Sequence, residues 1–140
     1  MIVKARPRRS WARAAWIAMA FVFVAVFRTG AARADELVMF QQEGCPFCHA
    51  WNHDIGRIYA KTDEAKLLPL RRVDIHAPRP ADLTSVKGIR YTPTFVVMHC
   101  GHEVERIVGY SGQDQFWELL DEGVKEITVP GTSKLAACAG

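Results

Sequence analysis

The residues of this 140-residue chain best suited to chemistry are two cysteines separated by two residues, Cys45-Pro46-Phe47-Cys48. They follow a short apolar run, Leu37 to Phe40, and begin a segment, Pro46 to Lys61, whose apolar residues recur every three or four positions. These patterns predict a buried strand followed by a helix. Backbone N–H groups at the start of a helix stabilise a thiolate. We therefore predict a redox pair in which Cys45, facing solvent, attacks and Cys48, one turn inside, resolves the mixed disulfide.

Two other kinds of site use the same spacing. A CxxC pair can be half of a zinc site, but zinc needs two more ligands, and Cys100 and Cys138 do not form a second CxxC. His49 and His53 could supply the missing zinc ligands, but both would lie on the helix that carries Cys48, which makes a cramped tetrahedral site. With His49 the motif also matches the attachment pattern of c-type haem, although a haem pocket is usually helical and this motif follows a strand. We favour redox chemistry without a metal or another cofactor, and zinc and haem remain as alternatives.

The rest of the chain predicts the framework around the pair. A second strand lies within Leu68 to Ile75, a short helix covers Ala81 to Lys87, and a long amphipathic helix covers Gln113 to Ile127. Between the helices, Thr94 to His99 and Glu103 to Tyr110 read as strands joined by a hairpin turn at Cys100-Gly101. The order β-α-β-α-β-β-α predicts an α/β fold with a mixed four-stranded sheet flanked by helices. Arg71 and Arg72 are interpreted as sharing one face of the second strand.

Both ends of the chain differ from its middle. Residues 1–34 combine a basic start, an apolar run from Ala14 to Phe27 and the small-residue sequence Ala32-Arg33-Ala34. This order is typical of a secretory signal peptide, here cleaved after Ala34 to release a periplasmic protein. An uncleaved membrane anchor is the alternative, although the run is shorter than the roughly 20 residues that a spanning helix needs. We predict a domain over residues 35–127 and a flexible tail over residues 128–140.

The net positive charge of the chain comes from the predicted leader. Residues 1–34 contain seven of the 18 Lys and Arg residues and none of the 15 Asp and Glu residues. The remainder therefore carries 11 basic and 15 acidic side chains, a net charge of −4. This balance argues against nucleic-acid binding.

Two further cysteines lie outside the motif. The strand directions place the Cys100 hairpin at the end of the domain opposite Cys45, and the last helix runs back toward that end. Its tail would bring Cys138 near Cys100, so we predict a possible structural disulfide between them. The alternative is two free thiols.

A second signature, Tyr91-Thr92-Pro93-Thr94-Phe95, precedes the third strand. A cis peptide between Thr92 and Pro93 would leave backbone groups unpaired beside the thiols, where an extended substrate peptide could pair with them. We therefore predict that Thr92 and Pro93, together with Pro46 and Phe47, bind substrate.

Residues 36–127 resemble the thioredoxin superfamily, because the CxxC motif is followed at the right spacing by the Thr92-Pro93 motif. The resemblance implies that Pro93 is that family's cis-proline. The chain is most similar to the SoxS-type periplasmic thioredoxins of bacterial sulfur-oxidation (Sox) systems, through residues at the redox motif, the proline motif and the last helix: Glu43-Gly44-Cys45, Trp51, Tyr91 to Val96, Gly109-Tyr110 and Phe116-Trp117.

The narrower resemblance implies a reductase that keeps a protein thiol, that of the Sox sulfur-carrier protein, reduced. Its electrons would come from a membrane thiol transporter. A single CxxC domain needs no second copy, so we expect a monomer.

Some residues depart from the pattern of cytoplasmic thioredoxins. Those proteins have Trp where this chain has Gly44 and a buried Asp where it has Met39. The Pro46-Phe47 pair looks more like that of glutaredoxins, and His49 resembles the matching residue of periplasmic disulfide isomerases. The direction of electron flow is therefore open. A disulfide oxidase or isomerase is the first alternative function, and a redox-inert binding module is the second.

Overall fold

The computed structural model describes residues 34–128. Seven regular elements follow one another: β1 (Glu36–Gln41), α1 (Pro46–Trp51), α2 (Asp63–Leu67), β2 (Leu70–Asp74), β3 (Thr94–His99), β4 (His102–Val108) and α3 (Gln113–Thr128). The strands form one sheet in the order β2-β1-β3-β4. β1 pairs parallel with β2 and antiparallel with β3, and β3 pairs antiparallel with β4. The predicted mixed four-stranded α/β fold is thus confirmed.

The predicted leader up to residue 33 and the predicted tail beyond Thr128 lie outside the described residues. Within residues 34–128, no helix has the length and apolar character needed to cross a membrane.

The central strands β1 and β3 are apolar along their middle, Leu37 to Phe40 and Phe95 to Met98, because both faces of the sheet are covered there. Met39 and Phe95 pack on one face against the helices, whereas Val38 and Val96 pack on the other face. Trp51 at the end of α1 is the largest fully buried side chain. Its ring lies 5.1 Å from that of Phe95, so α1 is fixed against the middle of the sheet.

The prediction that Arg71 and Arg72 share a face of β2 is wrong, because successive side chains of a strand point to opposite faces. Arg71 forms ion pairs with Asp82 at 2.5 Å and with Glu36 at 3.3 Å. Arg72 lies on the other face, where it contacts Trp51.

The segment predicted as one helix from Pro46 to Lys61 consists of three parts. After α1 come a wider π-helical turn, Asn52–Gly56, and a 3-10 turn, Tyr59–Lys61. Gly56 lies close to its surroundings: a Cβ there would be 3.1 Å from Asn52 Oδ1 and 3.1 Å from Trp51 Cζ3. The helix α2 was not predicted. It begins after Thr62, whose Oγ1 accepts a hydrogen bond from the Ala65 N–H at 3.3 Å.

Two other predicted elements differ in length. The predicted helix from Ala81 to Lys87 is only a 3-10 turn, Ala81–Leu83. β4 ends at Val108 and not at Tyr110. Gly109 has a φ of +84°, which takes the chain out of the strand, and its N–H bonds to the Pro93 carbonyl at 2.8 Å.

The hairpin at Cys100 lies at the end of the sheet opposite Cys45, as predicted. β1 and β3 pair Phe40 with Thr94 at one end and Glu36 with Met98 at the other. Cys100 is not a free thiol. Cys138 lies outside the described residues, so the pairing of these two cysteines stays a prediction.

Candidate active site

Cys45 caps the start of α1 and is joined to Cys48 by a disulfide, with 5.2 Å between their Cα atoms. The Cys48 N–H points at Cys45 Sγ at 3.1 Å. Gly44, with a φ of +70°, makes the turn that follows β1. Pro46 occupies the first helical turn, where its missing N–H costs nothing. When the disulfide is reduced, this N–H donor and the helix start favour negative charge on Cys45.

The loop that contains Thr92 and Pro93 lies beside the disulfide. The peptide bond between these two residues is cis. The Thr92 carbonyl oxygen is 3.4 Å from Cys45 Sγ. The Gly109 N–H donates to the Pro93 carbonyl at 2.8 Å, and Thr94 Oγ1 donates to the Tyr91 carbonyl at 2.8 Å. The end of β4 therefore holds this loop against a redox pair that lies far away in the sequence.

The two sulfurs have different surroundings. Both cysteines are almost fully buried, with 3% exposure for Cys45 and 4% for Cys48. The expectation that Cys45 alone faces solvent is therefore wrong. Cys45 lines a groove of about 300 Å³, together with Gly44, Pro46, Phe47, Tyr91 and Thr92 among others. Cys48 lines a second pocket of about 270 Å³, whose other walls are mostly polar: Gln41, Gln42, Glu43, Gly44, His49, Asn52 and Asp74. The two sulfurs thus line different pockets, which share Gln42 and Gly44.

The groove has exposed aromatic walls. Phe47 is 59% exposed and Tyr91 is 68% exposed, so both rings offer surface to a partner beside Cys45. Of the four residues predicted to bind substrate, Pro46, Phe47 and Thr92 line the groove, whereas Pro93 is buried. Tyr91 and Arg90 also line the groove, although they were not predicted as site residues. The sequence signal for both was their position directly before Thr92.

A hydrogen-bonded cluster ties the helical segment to the loop after β4. The Tyr110 hydroxyl donates to Asp54 Oδ2 at 2.9 Å. His53 Nδ1 lies 2.8 Å from Asp54 Oδ1. The hydrogen bonds from His53 and Tyr110 lower the pKa of Asp54. Burial, followed by the bond to Asp54, raises the pKa of Tyr110 to about 12. Because Gly109 bonds to Pro93, this cluster helps to position the proline loop against α1.

One group of potential metal ligands lies at the far end of the sheet. Asp35, His99 and Cys100 place one ligand atom each within 4.8 Å of one another. Asp35 Oδ1 already lies 2.9 Å from His99 Nδ1 and accepts the Cys100 N–H at 3.3 Å. Cys100 is not a free thiol and is therefore a poor ligand. In the described part of the chain, no such group includes Cys45 or Cys48.

Comparisons with known proteins agree with this geometry. The family model of the thioredoxin-like domain matches residues 23–123. The crystal structure of the periplasmic thioredoxin SoxS from Paracoccus pantotrophus, in its reduced form, is 36% identical with a TM-score of 0.60, and the alignment covers 64% of this chain and 95% of that one.

A solution structure of a thioredoxin from Thermus thermophilus supports the fold, with 20% identity, a TM-score of 0.56, and coverage of 86% of this chain and 88% of that one. A search of curated proteins found no match. The family match, the fold and the Cys45–Cys48 disulfide lead to one conclusion: the chain belongs to the thioredoxin-like domain family and is a thiol–disulfide oxidoreductase.

Proposed function

We propose that this protein is an exported reductase that keeps a specific partner protein in its thiol form. The proposal rests mainly on the position of Cys45, whose sulfur lies at the junction of a helix start and an aromatic-lined groove. Cys48 lies behind it, on a separate pocket. The two sulfurs are equally buried, but only Cys45 lines the groove with the exposed aromatic side chains, so we propose that Cys45 is the sulfur that meets the partner.

The reaction follows from this arrangement. In the reduced protein, the Cys45 thiolate attacks one sulfur of the partner's disulfide, and the other partner sulfur leaves as a thiolate that takes up a proton. Cys48 then loses its proton and attacks Cys45 Sγ, which releases the partner's second thiol. The partner gains two electrons and two protons, and Cys45 and Cys48 are left as the disulfide.

The groove supports a protein segment as the substrate. Phe47 and Tyr91 expose aromatic surface in the groove that Cys45 lines, and the Thr92 carbonyl is next to the Cys45 sulfur. We propose that Pro46, Phe47 and Thr92 contact the segment, and that Pro93 holds Thr92 in place. An extended segment can bond to loop backbone groups in the manner of strand addition.

The similarity to SoxS supports a narrower identity for the partner. We propose that it is the sulfur-carrier protein of a Sox system, as the resemblance to SoxS-type thioredoxins implies. A membrane thiol transporter would return the two electrons to the Cys45–Cys48 disulfide. We propose a monomer, since one CxxC pair completes the reaction.

Export is proposed from the leader pattern and from the periplasmic character of SoxS. Asp35 would be the first residue after cleavage. It is already bonded to the hairpin at His99 and Cys100, and β1 begins at the next residue. Intact mass measurement of protein recovered from the periplasm would give a first residue of Asp35. Retention of residues 1–34 on a membrane fraction would contradict the cleavage.

Trapping tests the partner and the role of each cysteine. Cys48→Ser should accumulate a mixed disulfide between Cys45 and the partner in a sulfur-oxidising host, because the resolving thiol is missing. Cys45→Ser, which keeps the other three cysteines, is the matched control and should trap nothing. If the sulfur-carrier protein is absent from the trapped set, the proposed partner is wrong.

A redox titration tests the proposed direction of electron flow, from this protein to its partner. A potential near −270 mV suits a reductant and one near −120 mV suits an oxidant. The oxidase or isomerase alternative has one observation in its favour. The buried and uncharged Met39 stands where cytoplasmic thioredoxins, which are reductants, have a buried Asp. A potential close to −120 mV would select that alternative.

A further inference from the structure

Arg72 holds a positive charge on the face of the sheet that carries the redox pair. Its Nη2 donates to Asn52 Oδ1 at 2.7 Å, and its Nη1 donates to Gln41 Oε1 at 2.8 Å. Nη1 also lies 3.2 Å from Met39 Sδ, and the guanidinium carbon lies 5.4 Å from the centre of the Trp51 ring. These contacts hold the guanidinium from several sides.

The partners of Arg72 leave its charge unneutralised. Arg71 and Arg106 each have a carboxylate within 3.3 Å. Around Arg72, by contrast, the acceptors in the described part of the chain are all neutral. Burial lowers the pKa of Arg72, but a guanidinium stays protonated in proteins. A full positive charge therefore stands beside Met39 and Trp51.

The chain leaves room for this arrangement at Gly56. A Cβ at that position would be 3.1 Å from Asn52 Oδ1 and 3.4 Å from Arg72 Nη2. Any larger residue would push against the bond between Asn52 and Arg72. Glycine is thus the residue that fits beside the guanidinium.

The charge is close to Cys48. Asn52 follows Cys48 by one helical turn, a distance of roughly 5–6 Å between Cβ atoms. Gln41 and Asn52, the two acceptors of Arg72, line the same pocket as Cys48. The Arg72 guanidinium is therefore separated from the Cys48 pocket by the two side chains that it bonds to.

We propose that Arg72 is a positioning residue of the redox pair, whose charge stabilises the thiolate of Cys48 during resolution of the mixed disulfide. The inference rests on the thiol–disulfide chemistry of the pair and not on the proposed direction or partner. In the step concerned, Cys48 loses its proton to water in the polar pocket. Its thiolate then forms the bond to Cys45 Sγ as the bond from Cys45 to the partner sulfur breaks.

Other charged groups also face the pocket at Cys48. Glu43 in the turn, His49 on α1 and Asp74 on β2 line it. Asp74 Oδ1 accepts the His76 N–H at 2.8 Å. All three side chains are exposed, and so is that of Arg72, so water screens all four charges. This exposure calls for an effective dielectric constant of about 40 to 80. At a separation of about 10 Å, roughly one Debye length, removal of the Arg72 charge then changes the thiolate equilibrium about two- to four-fold, whatever the contribution of the other three groups.

The test is the pH dependence of resolution. Reduced protein reacts with a chromogenic aromatic disulfide in a stopped-flow instrument, and the second release of coloured thiol reports the attack of Cys48 on Cys45. This second release should be absent in Cys48→Ser. In Arg72→Met the midpoint of its pH profile should move up by about half a pH unit, and high salt should shrink the difference from wild type. Arg72→Lys, which keeps the charge, should restore most of the shift.

Arg71→Met is the matched control because Arg71 is the neighbouring arginine on the opposite face of β2. It should leave the midpoint unchanged. Arg72→Gln is a second variant that removes the charge but keeps a hydrogen-bond donor for Asn52 and Gln41, and it should raise the midpoint as Arg72→Met does. If either variant folds and keeps the wild-type midpoint, the inference is wrong. The assay uses no protein partner, so its failure is distinct from a failure of the trapping experiment.

Discussion

Gly123 allows α3 to lie directly against the sheet, and replacing it should destabilise the protein. A Cβ at this position would be 2.8 Å from Val97 Cγ2 and 3.3 Å from Glu105 Cβ. Carbon atoms prefer about 3.5 Å or more, so the helix and the strand would have to separate by roughly 0.7 Å. Val97 cannot turn away easily, because a β-branched side chain in a packed core has few rotamers.

The magnitude is a balance of two opposing effects. Overpacking of a core costs about 1–3 kcal/mol. Replacing glycine by alanine inside a helix returns about 1 kcal/mol. For Gly123→Ala we therefore expect a net loss of about 1 kcal/mol in the free energy of unfolding. In a domain of this size that corresponds to a fall in Tm of about 4 °C.

A double-mutant cycle with Val97→Ala isolates the contact. Val97→Ala alone is destabilising because it removes buried methyl groups. In that background Gly123→Ala should change sign and stabilise the protein by a few tenths of a kcal/mol to about 1 kcal/mol, since the clashing methyl group is gone. The remaining contact with Glu105 Cβ needs only a small adjustment.

The assay is urea unfolding of the oxidised protein at constant m value. Glu122→Ala is the control, because Glu122 is the exposed neighbour on the same helix and its replacement should change stability by less than about 0.5 kcal/mol. Two results would refute the close packing of α3. One is stabilisation by Gly123→Ala in the wild-type background, and the other is the absence of coupling to Val97.

Three other predictions concern the site and its support. Asp54→Asn should remove an acid-sensitive part of the stability. The folded pKa of Asp54 is lowered, so its contribution is present above the unfolded value near 3.8 and is lost as the pH falls through the folded value. The Tm difference between wild type and Asp54→Asn should accordingly be larger at pH 7 than at pH 2.5, and an equal difference at both would contradict the account. Phe47→Ser and Tyr91→Ser should weaken reduction of a protein disulfide without changing Tm. Leu67→Ser, an exposed apolar residue on α2, should affect neither measurement, and equal losses in all three variants would rule out a groove-specific role. Trp51→Ala should cost about 3–5 kcal/mol in urea unfolding because Trp51 is fully buried among aromatic rings. A loss below about 1 kcal/mol would show that the ring is not central to the core.

The features predicted correctly from sequence are those set by short-range patterns. The alternation of apolar runs and turns was enough to place the strands and the last helix. The spacing of apolar residues along a strand or helix follows from which of its faces are buried, so it can be seen in the sequence. The CxxC pair was placed at a strand–helix junction because an apolar run precedes it and a segment with helical spacing of apolar residues follows it. Chain direction then determined that the Cys100 hairpin lies away from Cys45.

The wrong predictions concern features that depend on distant residues. The segment from Pro46 to Lys61 was predicted as one regular helix, but after Trp51 it continues as a π-helical turn and a 3-10 turn that pack around the buried Trp51 and Tyr59. The end of β4 was misplaced because a bond from Gly109 to Pro93 takes the chain out of the sheet.

The sequence by itself therefore determined the chemistry of this protein: two cysteines at a helix start, a proline loop further along, and an α/β framework to hold them. Only the tertiary structure decided the surroundings of each sulfur, with an aromatic groove at Cys45 and a polar pocket at Cys48. It also decided that Arg72, unlike Arg71, lies on the face of the sheet that packs against Trp51. The physical reason is distance along the chain. Residues 20 to 50 positions apart meet through packing and register, which no local pattern of residue types encodes.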